Sequence, residues 1–417
     1  MTQKQVAVIG GGVIGVCTAY FLARAGHEVV VIERHHNVGQ EASYGSASLT
    51  ACGHAAPWAA PGMPRRIFSR LLSPTRPVVL KPRMDRAQWR WVRKWLDECE
   101  AERYRINRAR MQRLALYSRE VLQELREQYT LDCELSRGVL CVFRDERERR
   151  LAEPAIAALA EGGIAHRLVD ESEARAIEPA LGYRVEFAGG LYLPDDESGN
   201  CPLFTKQMRY LAQSIGVHFH FTTTVHALES TAGRVTLRIE DRSFDADAVV
   251  VAAGADSARL LLPLGIHVPL HPVHTCAATV PIRNFEEAPR AAVIDDSYRS
   301  IIMRMGHRIR IAGTAGLGLT PGVLHKAAMQ TLLKVGGDWF PNAANYNGAT
   351  FWSGVQSMLP DGPPLLGATP VKNVYLNLGH GSHGWAMALG SGKAMADVVS
   401  GAAPDIDLDG LTLSRYG

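Results

Sequence analysis

The chain has 417 residues, of which 47% are hydrophobic and 21% are charged, with a formal net charge of +3. This length suits two domains with separate cores, and the near-balanced charge gives no reason to expect a nucleic-acid partner. No apolar run reaches the length of a membrane span and no signal peptide precedes the first predicted strand, so we expect a cytoplasmic protein, at most peripheral to the inner face of a membrane. Seven cysteines without C-x-x-C or metal-ligand spacing predict reduced thiols and no metal site.

The first 33 residues carry the most specific pattern in the chain. The apolar run Gln5–Ile9 predicts a buried parallel strand, and residues 10–15 (GGGVIG) follow it with the G-x-G-x-x-G pattern. Residues 13–25 predict an apolar helix, and Glu28–Ile32 predict a second strand that ends at Glu33. Strand, glycines, helix, strand and acid in register predict a dinucleotide site with a pyrophosphate at the helix N-terminus.

Each glycine has a distinct expected use in this unit. Gly10 permits the tight turn, Gly12 lets the backbone approach the pyrophosphate, and Gly15 lets the helix pack on the strand. Glu33 stands where a carboxylate takes ribose hydroxyls, and it would repel the 2′-phosphate of NADP, although Arg34 beside it is positive. The alternative is a βαβ unit with incidental glycines and no phosphate.

Later segments favour FAD over NAD. An NAD enzyme usually continues with further βαβ units, whereas here a polar loop of small residues follows at 40–62, suited to the extended ribityl chain of FAD. Residues 243–257 supply another buried strand ending at Ala253 and Gly254, and residues 373–401 supply a strand, a glycine-rich loop and a closing helix. The nucleotide domain is therefore assembled from distant pieces of chain.

The C-terminal glycine-rich loop has a predicted electrostatic role. Gly379, Gly381 and Gly384 would expose backbone amides at the N-terminus of a helix over residues 385–399. A reduced flavin is negative at its N1/C2-oxygen edge, and a helix N-terminus stabilises such charge. The alternative is an ordinary loop before a core helix.

The middle of the chain predicts two inserts. Residues 85–190 are helical and charged, and the segment 81–113 is rich in arginine, with Trp89, Trp91 and Trp95 among them. This segment is either a solvated helical face with buried aromatic residues or a membrane-surface contact for passing electrons to quinone. Residues 267–340 predict strands, with a hairpin turned at 305–307 and a helix at 326–335, and such a sheet could form one wall of a substrate pocket.

With these features the chain resembles the small-subunit type of FAD-dependent D-amino-acid dehydrogenase, within the D-amino-acid oxidase/glycine oxidase superfamily. The similar segments run in order along nearly the whole chain: AAPWAAPG (55–62), LPDDESGNCPLFT (193–205), ATFWSG (349–354), LPDGPPLLG (359–367) and LGHGSHGWAMALGSG (378–392). The resemblance implies non-covalent FAD and oxidative deamination, in which hydride passes from the substrate α-carbon to flavin N5 and electrons leave to a quinone or another carrier. Such chemistry depends mainly on orientation and needs no catalytic triad.

The sequence departs from the family pattern in the expected substrate pocket. Gln356 stands where the family usually has an arginine that binds the substrate carboxylate, a task that suits the planar guanidinium. His383 occupies a position that is usually apolar, and residues 274–276 (HTC) replace a lysine–glycine–aromatic sequence. The pocket therefore looks rebuilt, and Arg304 becomes the candidate for a surviving carboxylate partner.

These considerations give a complete set of expectations. The fold is α/β, with a Rossmann-like FAD-binding domain (1–84, 191–266 and 345–417) interleaved with a mixed α+β substrate domain (85–190 and 267–344). The predicted substrate-binding residues are Gln356, Tyr298, Arg304, His383, His274 and His54. The predicted FAD-binding residues are Gly10, Gly12, Val13, Ile14, Gly15, Glu33, Arg34, Ser43, Ser46, Ala47, Val225, Ala253, Gly254, Gly379, His380, Gly381, Ser382, His383, Gly384 and Trp385. Two other functions stay open: an oxygen-using amine or glycine oxidase acting on a neutral or secondary amine, and a flavoprotein without turnover.

Overall fold

The computed structural model describes residues 2–45, 47–71, 73–81, 85–231, 233–240, 242–320 and 322–417. Within these residues the α-helices are α1 (Val13–Arg24), α2 (Met63–Ser69), α3 (Arg86–Asp97), α4 (Ala101–Gln128), α5 (Glu146–Glu161), α6 (Glu171–Ile177), α7 (Cys201–Ser214), α8 (Ser257–Leu261), α9 (Lys326–Trp339) and α10 (Gly384–Ser400). The strands are β1 (Gln5–Ile9), β2 (Glu28–Ile32), β3 (Leu49–Thr50), β4 (Val78–Leu80), β5 (Ser136–Val142), β6 (Arg167–Val169), β7 (Gly190–Ser198), β8 (His218–His220), β9 (Val225–Thr231), β10 (Arg234–Ile239), β11 (Arg242–Ala246), β12 (Ala248–Val251), β13 (His271–Pro281), β14 (Ala292–Asp295), β15 (Ser300–Met305), β16 (Arg308–Leu317), β17 (Thr350–Met358), β18 (Leu365–Ala368) and β19 (Val374–Leu378).

The N-terminal pattern forms the centre of the first sheet. Among the described residues this sheet has six strands in the order β18-β19-β12-β1-β2-β8, and β1 pairs in parallel with both β2 and β12. The continuous apolar runs of β1 and β12 are buried because helices α1, α7 and α10 cover one face and strands β9–β11 pack near the other. The predicted strands at residues 5–9 and 28–32 and the helix between them are confirmed.

The second sheet is larger and mostly antiparallel. In the described part of the chain its ten strands include a path in the order β17-β13-β16-β15-β14-β5-β7-β3. Strands β15 and β16 form the predicted hairpin around residues 306–307, and helix α9 packs on the face that carries Ile302 and Ile311. The opposite face, which carries Ile301 and Ile294, borders a cavity.

In the described part of the chain, four strands from segments assigned to the nucleotide domain lie in the larger sheet. β17 falls in the segment assigned to the nucleotide domain, yet it pairs with β13 over nine residue pairs. β3, β4 and β7 likewise pair within the larger sheet. Strand partners that are distant in sequence leave no local signature, so the sequence pattern did not reveal these crossings. The division into two domains stays a prediction.

The turn after β17 connects the two sheets. Asp361 in this turn forms a buried ion pair with Arg415, with 2.7 Å between the nearest atoms, and Arg415 also donates to the carbonyl of Pro363. Just before the turn, Met358 forms an isolated β-bridge with His380, in the loop that follows β19. The end of β17 is thereby fixed against the glycine-rich loop of the first sheet.

Candidate functional site

The first cavity lies at the carboxyl ends of β1, β2, β12 and β19, where open α/β sheets bind their ligands. Most of the predicted FAD-binding residues line it: Gly10, Gly12, Val13, Ile14, Glu33, Arg34, Ser43, Val225, Ala253, Gly254, Gly379, His380, Gly381, Ser382, Gly384 and Trp385. Further lining residues come from segments with no recognised motif, including Gln40, Glu41, Thr223, Thr224, Asp256, Arg259 and Asn377. The loop after β2 and the end of β12 thus contribute more polar groups than the sequence pattern indicated.

The glycines of the first turn differ in what surrounds them. Gly10 has a φ of +109°, a conformation that side chains rarely adopt. A Cβ atom on Gly15 would lie 1.9 Å from the carbonyl oxygen of Gly10, so Gly15 serves the packing of α1 rather than the cavity. A Cβ atom on Gly12 would meet only the hydroxyl of Ser43, at 3.5 Å, and therefore Gly12 keeps open the space in front of the helix.

The carboxylate of Glu33 is held rigidly at the end of β2. One of its oxygens accepts a hydrogen bond from the backbone of Gly11 at 2.6 Å, and the other accepts one from the backbone of His35 at 2.7 Å. Each oxygen retains a further lone pair for a ribose hydroxyl. Arg34 forms ion pairs with Glu41 and Asp256, so its charge is already balanced and gives no reason to expect a 2′-phosphate.

The glycine-rich loop ends in the predicted helix N-terminus. Gly379 and Gly381 have φ values of +82° and +56°, and a short 3-10 turn leads directly into α10, which begins at Gly384. Burial lowers the pKa of His380 to about 3, so this side chain is neutral. Its Nε2 atom is buried and has no hydrogen-bond partner among the described residues. The positive end of α10 therefore faces the cavity without a nearby charged histidine.

A second cavity adjoins the first along a shared wall. Leu49, Gln356 and Ser382 line both cavities. Gln356 is 9% exposed, and its strand is fixed by the bridge and ion pair at the end of β17. The remaining wall comes mainly from the larger sheet, the loop at 53–63 and helices α4 and α5. A molecule in the second cavity therefore meets a molecule in the first one beside Gln356 and Ser382.

Two histidines in the second cavity are neutral. The rings of His54 and His383 lie 5.5 Å apart in an edge-on contact. Burial lowers the pKa of His383 to about 3, with His54, Arg299 and Arg108 adding to the effect. Burial also lowers the pKa of His54, and Asp296 opposes this while Arg108 and Arg299 reinforce it. Neither ring is charged near neutral pH, so both act as polar, uncharged groups.

Arg299 and Arg108 line the second cavity and were not among the predicted residues. Arg299 lies in the loop between β14 and β15, and burial lowers the pKa of its guanidinium to about 10, which leaves it protonated at neutral pH. Arg108 is 3% exposed on α4 and donates to the hydroxyl of Tyr104 and the carbonyl of Gly53. A charged residue on the apolar stripe of α4 was the available signal for Arg108. For Arg299 the only signal was its place next to a predicted wall strand.

Several predicted residues lie elsewhere. Strand alternation places Arg304 on the face opposite Ile301, so it does not border the cavity, and His274 likewise alternates with the cavity-lining Thr275. Tyr298 packs instead between Arg70 and Arg144, with its ring centroid 4.8 and 4.7 Å from their guanidinium carbons. Three residues predicted to bind FAD also lie outside the lining of the first cavity.

Ala47 and His383 border the second cavity rather than the first, and Gly15 packs against the turn. Ser46 lies outside the described residues. The face of the loop on which each side chain lies depends on backbone geometry that the sequence does not specify.

A dinucleotide cavity that shares a wall with a second cavity lined by charged groups is typical of an oxidoreductase in which a nucleotide cofactor meets a small substrate. A model of the DAO family, described as FAD dependent oxidoreductase, matches residues 5–398. The chain belongs to this family, which confirms the predicted fold class and the FAD cofactor.

Comparisons with individual proteins agree with this membership. The D-amino acid dehydrogenase of Bradyrhizobium diazoefficiens is 40% identical over 415 residues, covering 99% of each chain. D-amino acid dehydrogenase 1 of Mesorhizobium japonicum is 41% identical over 416 residues, again covering 99% of each chain. The crystal structure of glycine oxidase from Geobacillus kaustophilus matches with a TM-score of 0.78 at 23% identity, over 100% of this chain and 99% of that one. This last similarity shows the shared fold.

The residues of the first cavity fit FAD. The open space at Gly12, the fixed carboxylate of Glu33 and the amides ahead of α10 match the pyrophosphate, ribose and flavin ends of the cofactor. Replacing Gly12 with valine should abolish FAD retention, because the side chain would fill the space in front of α1 that the pyrophosphate needs. The ratio of FAD to protein after purification measures this effect.

Gly337→Ala provides the matched control, since a Cβ atom at that helical position meets nothing within 4 Å. The control should retain FAD like the parent protein. Full FAD content in Gly12→Val would contradict the placement of the pyrophosphate.

Proposed function

We propose that the protein oxidatively deaminates D-amino acids or closely related amines, with non-covalent FAD as the hydride acceptor and a quinone or another carrier as the final electron acceptor. The identity of 40–41% to D-amino acid dehydrogenases over 99% of both chains supports this function most directly. The shared wall at Gln356 and Ser382 is consistent with it, because a substrate there would lie against the cofactor cavity.

Bound FAD supplies the hydride acceptor, and the residues of the chain contribute orientation and electrostatics. Hydride loss from the α-carbon requires a neutral amine, because the nitrogen lone pair assists the departure of the hydride. Arg108 and Arg299 disfavour a positively charged ammonium group in the second cavity and so favour its deprotonated form. His54 and His383, both neutral, add no further charge and can hydrogen-bond to the substrate.

The proposed activity predicts that D-amino acids reduce the bound FAD. Under anaerobic conditions, addition of a D-amino acid should bleach the visible flavin absorbance, whereas the L-enantiomer should leave it unchanged. Hydrogen peroxide measured during aerobic turnover separates a dehydrogenase, which forms little, from an oxidase. A flavin that no D-amino acid, amino amide or secondary amine bleaches would refute catalysis on this class of substrate.

Gln356 provides a second prediction, because it places a neutral amide in the wall that the two cavities share. In a pocket rebuilt around this residue, Gln356→Arg would bury an additional guanidinium in a cavity that already holds Arg108 and Arg299. At about 4 Å from the reacting carbon it would oppose the positive charge that hydride loss leaves on the substrate by about 4 kcal/mol at an effective dielectric constant of 20. We therefore expect the variant to lose activity on the preferred substrate. The measurement is kcat/KM across free D-amino acids and their amides.

The opposite result has a clear physical meaning. A charge-assisted hydrogen bond contributes about 1.5–3 kcal/mol. If the arginine of Gln356→Arg bound the substrate carboxylate with two such bonds, kcat/KM for free D-amino acids would rise by about tenfold or more. Uniform improvement on these substrates, with no loss on any amide, would show that the pocket has not been rebuilt.

We also propose that the protein works at the inner face of the cytoplasmic membrane. No helix in the described segments is long and apolar enough to cross a membrane. Helices α2 and α3 contribute to one apolar cluster, in which Trp91 and Trp95 are buried, while Phe68 on α2 and Trp89 on α3 are 67% and 53% exposed. Exposed arginines accompany them on α3, a composition suited to an anionic membrane surface.

Sedimentation with vesicles that contain phosphatidylglycerol tests this contact. The combined change Phe68→Ser and Trp89→Ser should reduce binding several-fold, because aromatic side chains anchor at the headgroup level. Tyr183→Ser is the matched control, since Tyr183 is 83% exposed but lies outside the α2–α3 surface. Equal binding by the parent, the double variant and the control would refute the proposed surface.

A further inference from the structure

The charged groups of the second cavity do not balance. Arg66 pairs with Glu148 at 3.4 Å, whereas Arg108 donates only to uncharged oxygens among the described residues. Asp296 is exposed and is the acid that acts on Arg299. With the two histidines neutral, the residues that line the cavity include three arginines and two carboxylates.

Arg299 is held in position by its backbone. It has a φ of +48°, a left-handed conformation that costs a non-glycine residue roughly 1–3 kcal/mol. Its carbonyl accepts a hydrogen bond from the backbone of Thr314 at 3.1 Å. A Cβ atom on Gly313 would lie 2.1 Å from the same carbonyl oxygen, so glycine at 313 permits this close contact. The hairpin therefore maintains a strained residue at the cavity wall.

The side chain of Arg299 is available to an anion. Its guanidinium carbon lies 5.0 Å from the ring centroid of Trp58. No carboxylate of the described residues lies within ion-pair distance of it. Because the surrounding protein removes water from this group, a carboxylate that reached it would form a strong charge-assisted pair.

Arg299 is distant from the wall that faces the cofactor. Gln356 lies on β17, and β13 and β16 separate that strand from β15, which follows Arg299. Three strand spacings amount to roughly 14 Å between the backbones. Gln356 and Ser382 border both cavities, while Arg299 borders only the second one. An α-carboxylate stays one bond from the reacting carbon, whereas a side-chain carboxylate extends further from it.

We propose, on the basis of the proposed function, that Arg299 binds a carboxylate on the side chain of the substrate, so that the preferred substrates are acidic D-amino acids. The reacting carbon then lies at the wall formed by Gln356 and Ser382, and the amide of Gln356 donates to the α-carboxylate. Arg108 supplies the background positive charge that balances the second carboxylate. The cavity thus recognises a dianionic substrate with one guanidinium at its distal end.

The kinetic test compares D-glutamate with D-glutamine, which differ only in the charge of the distal group. For the parent protein kcat/KM should be at least tenfold higher for D-glutamate. Arg299→Met should lower the value for D-glutamate by about tenfold to a hundredfold, the range of a charge-assisted hydrogen bond, and leave D-glutamine within about threefold. Arg299→Lys should recover part of the loss.

Arg304→Met is the matched control, because Arg304 belongs to the adjoining strand but lies on the opposite face of the sheet. This variant should retain the preference for D-glutamate. Equal efficiency of the parent on both substrates, or an equal loss on both in Arg299→Met, would overturn the inference.

A binding measurement separates this inference from the proposed function. Glutarate carries two carboxylates and no amine, and titrating it against the flavin absorbance gives a Kd without turnover; its monoamide, glutaramate, serves as the comparison. Arg299→Met should raise the Kd of glutarate at least tenfold and change the Kd of glutaramate little. If no D-amino acid reduces FAD, the proposed function fails, and this titration still decides whether Arg299 is an anion site. Identical binding of glutarate to the parent and the variant would overturn it.

Discussion

The attachment of β17 to both sheets is the constraint on which the rest of the site depends. Its nine-residue pairing with β13 makes it part of the larger sheet, while the Met358–His380 bridge ties its end to the glycine-rich loop of the nucleotide sheet. The buried pair between Asp361 and Arg415 then fixes the following turn. Breaking one partner of a buried ion pair typically costs about 3–5 kcal/mol, so this junction resists small displacements. Hydride transfer requires placement to within a fraction of an ångström, and a rigid connection between the two sheets provides it.

The two cavities draw their positive potential from different groups. The nucleotide cavity presents backbone amides and the N-termini of α1 and α10, which suit a cofactor that carries phosphates and gains negative charge on reduction. The second cavity presents guanidinium groups and neutral histidines. Since burial keeps His54 and His383 uncharged, the positive potential there comes from arginines whose protonation does not change near neutral pH.

The sequence predicted what depends on local pattern and missed what depends on distant pairing. Residues 5–33 form a contiguous unit, so their strands, helix and glycine turn were predictable from spacing alone. Arg304 was assigned to the pocket from its position in the sequence. Whether a strand residue borders a cavity depends on the face of the sheet that it occupies, and alternation along β15 places Arg304 on the face opposite Ile301. Arg299 borders the cavity because its own backbone in the loop adopts a left-handed conformation. An arginine in the sequence gives no signal for that conformation.

The positions of Gln356 and Arg299 together suggest why a neutral residue suits the wall beside the cofactor. Loss of hydride leaves positive charge on the carbon and nitrogen of the substrate, and a guanidinium about 4 Å away would oppose it by about 4 kcal/mol at an effective dielectric constant of 20. At about 10 Å the same interaction falls to roughly 1.7 kcal/mol. A glutamine at the wall donates to a carboxylate without this opposition. An arginine at the distal end still provides the charge that attracts an anionic substrate. Because the arginine that attracts the anionic substrate lies far from the reacting carbon, the cavity can select a charged substrate. The repulsion between that arginine and the positive charge left by hydride transfer then stays small.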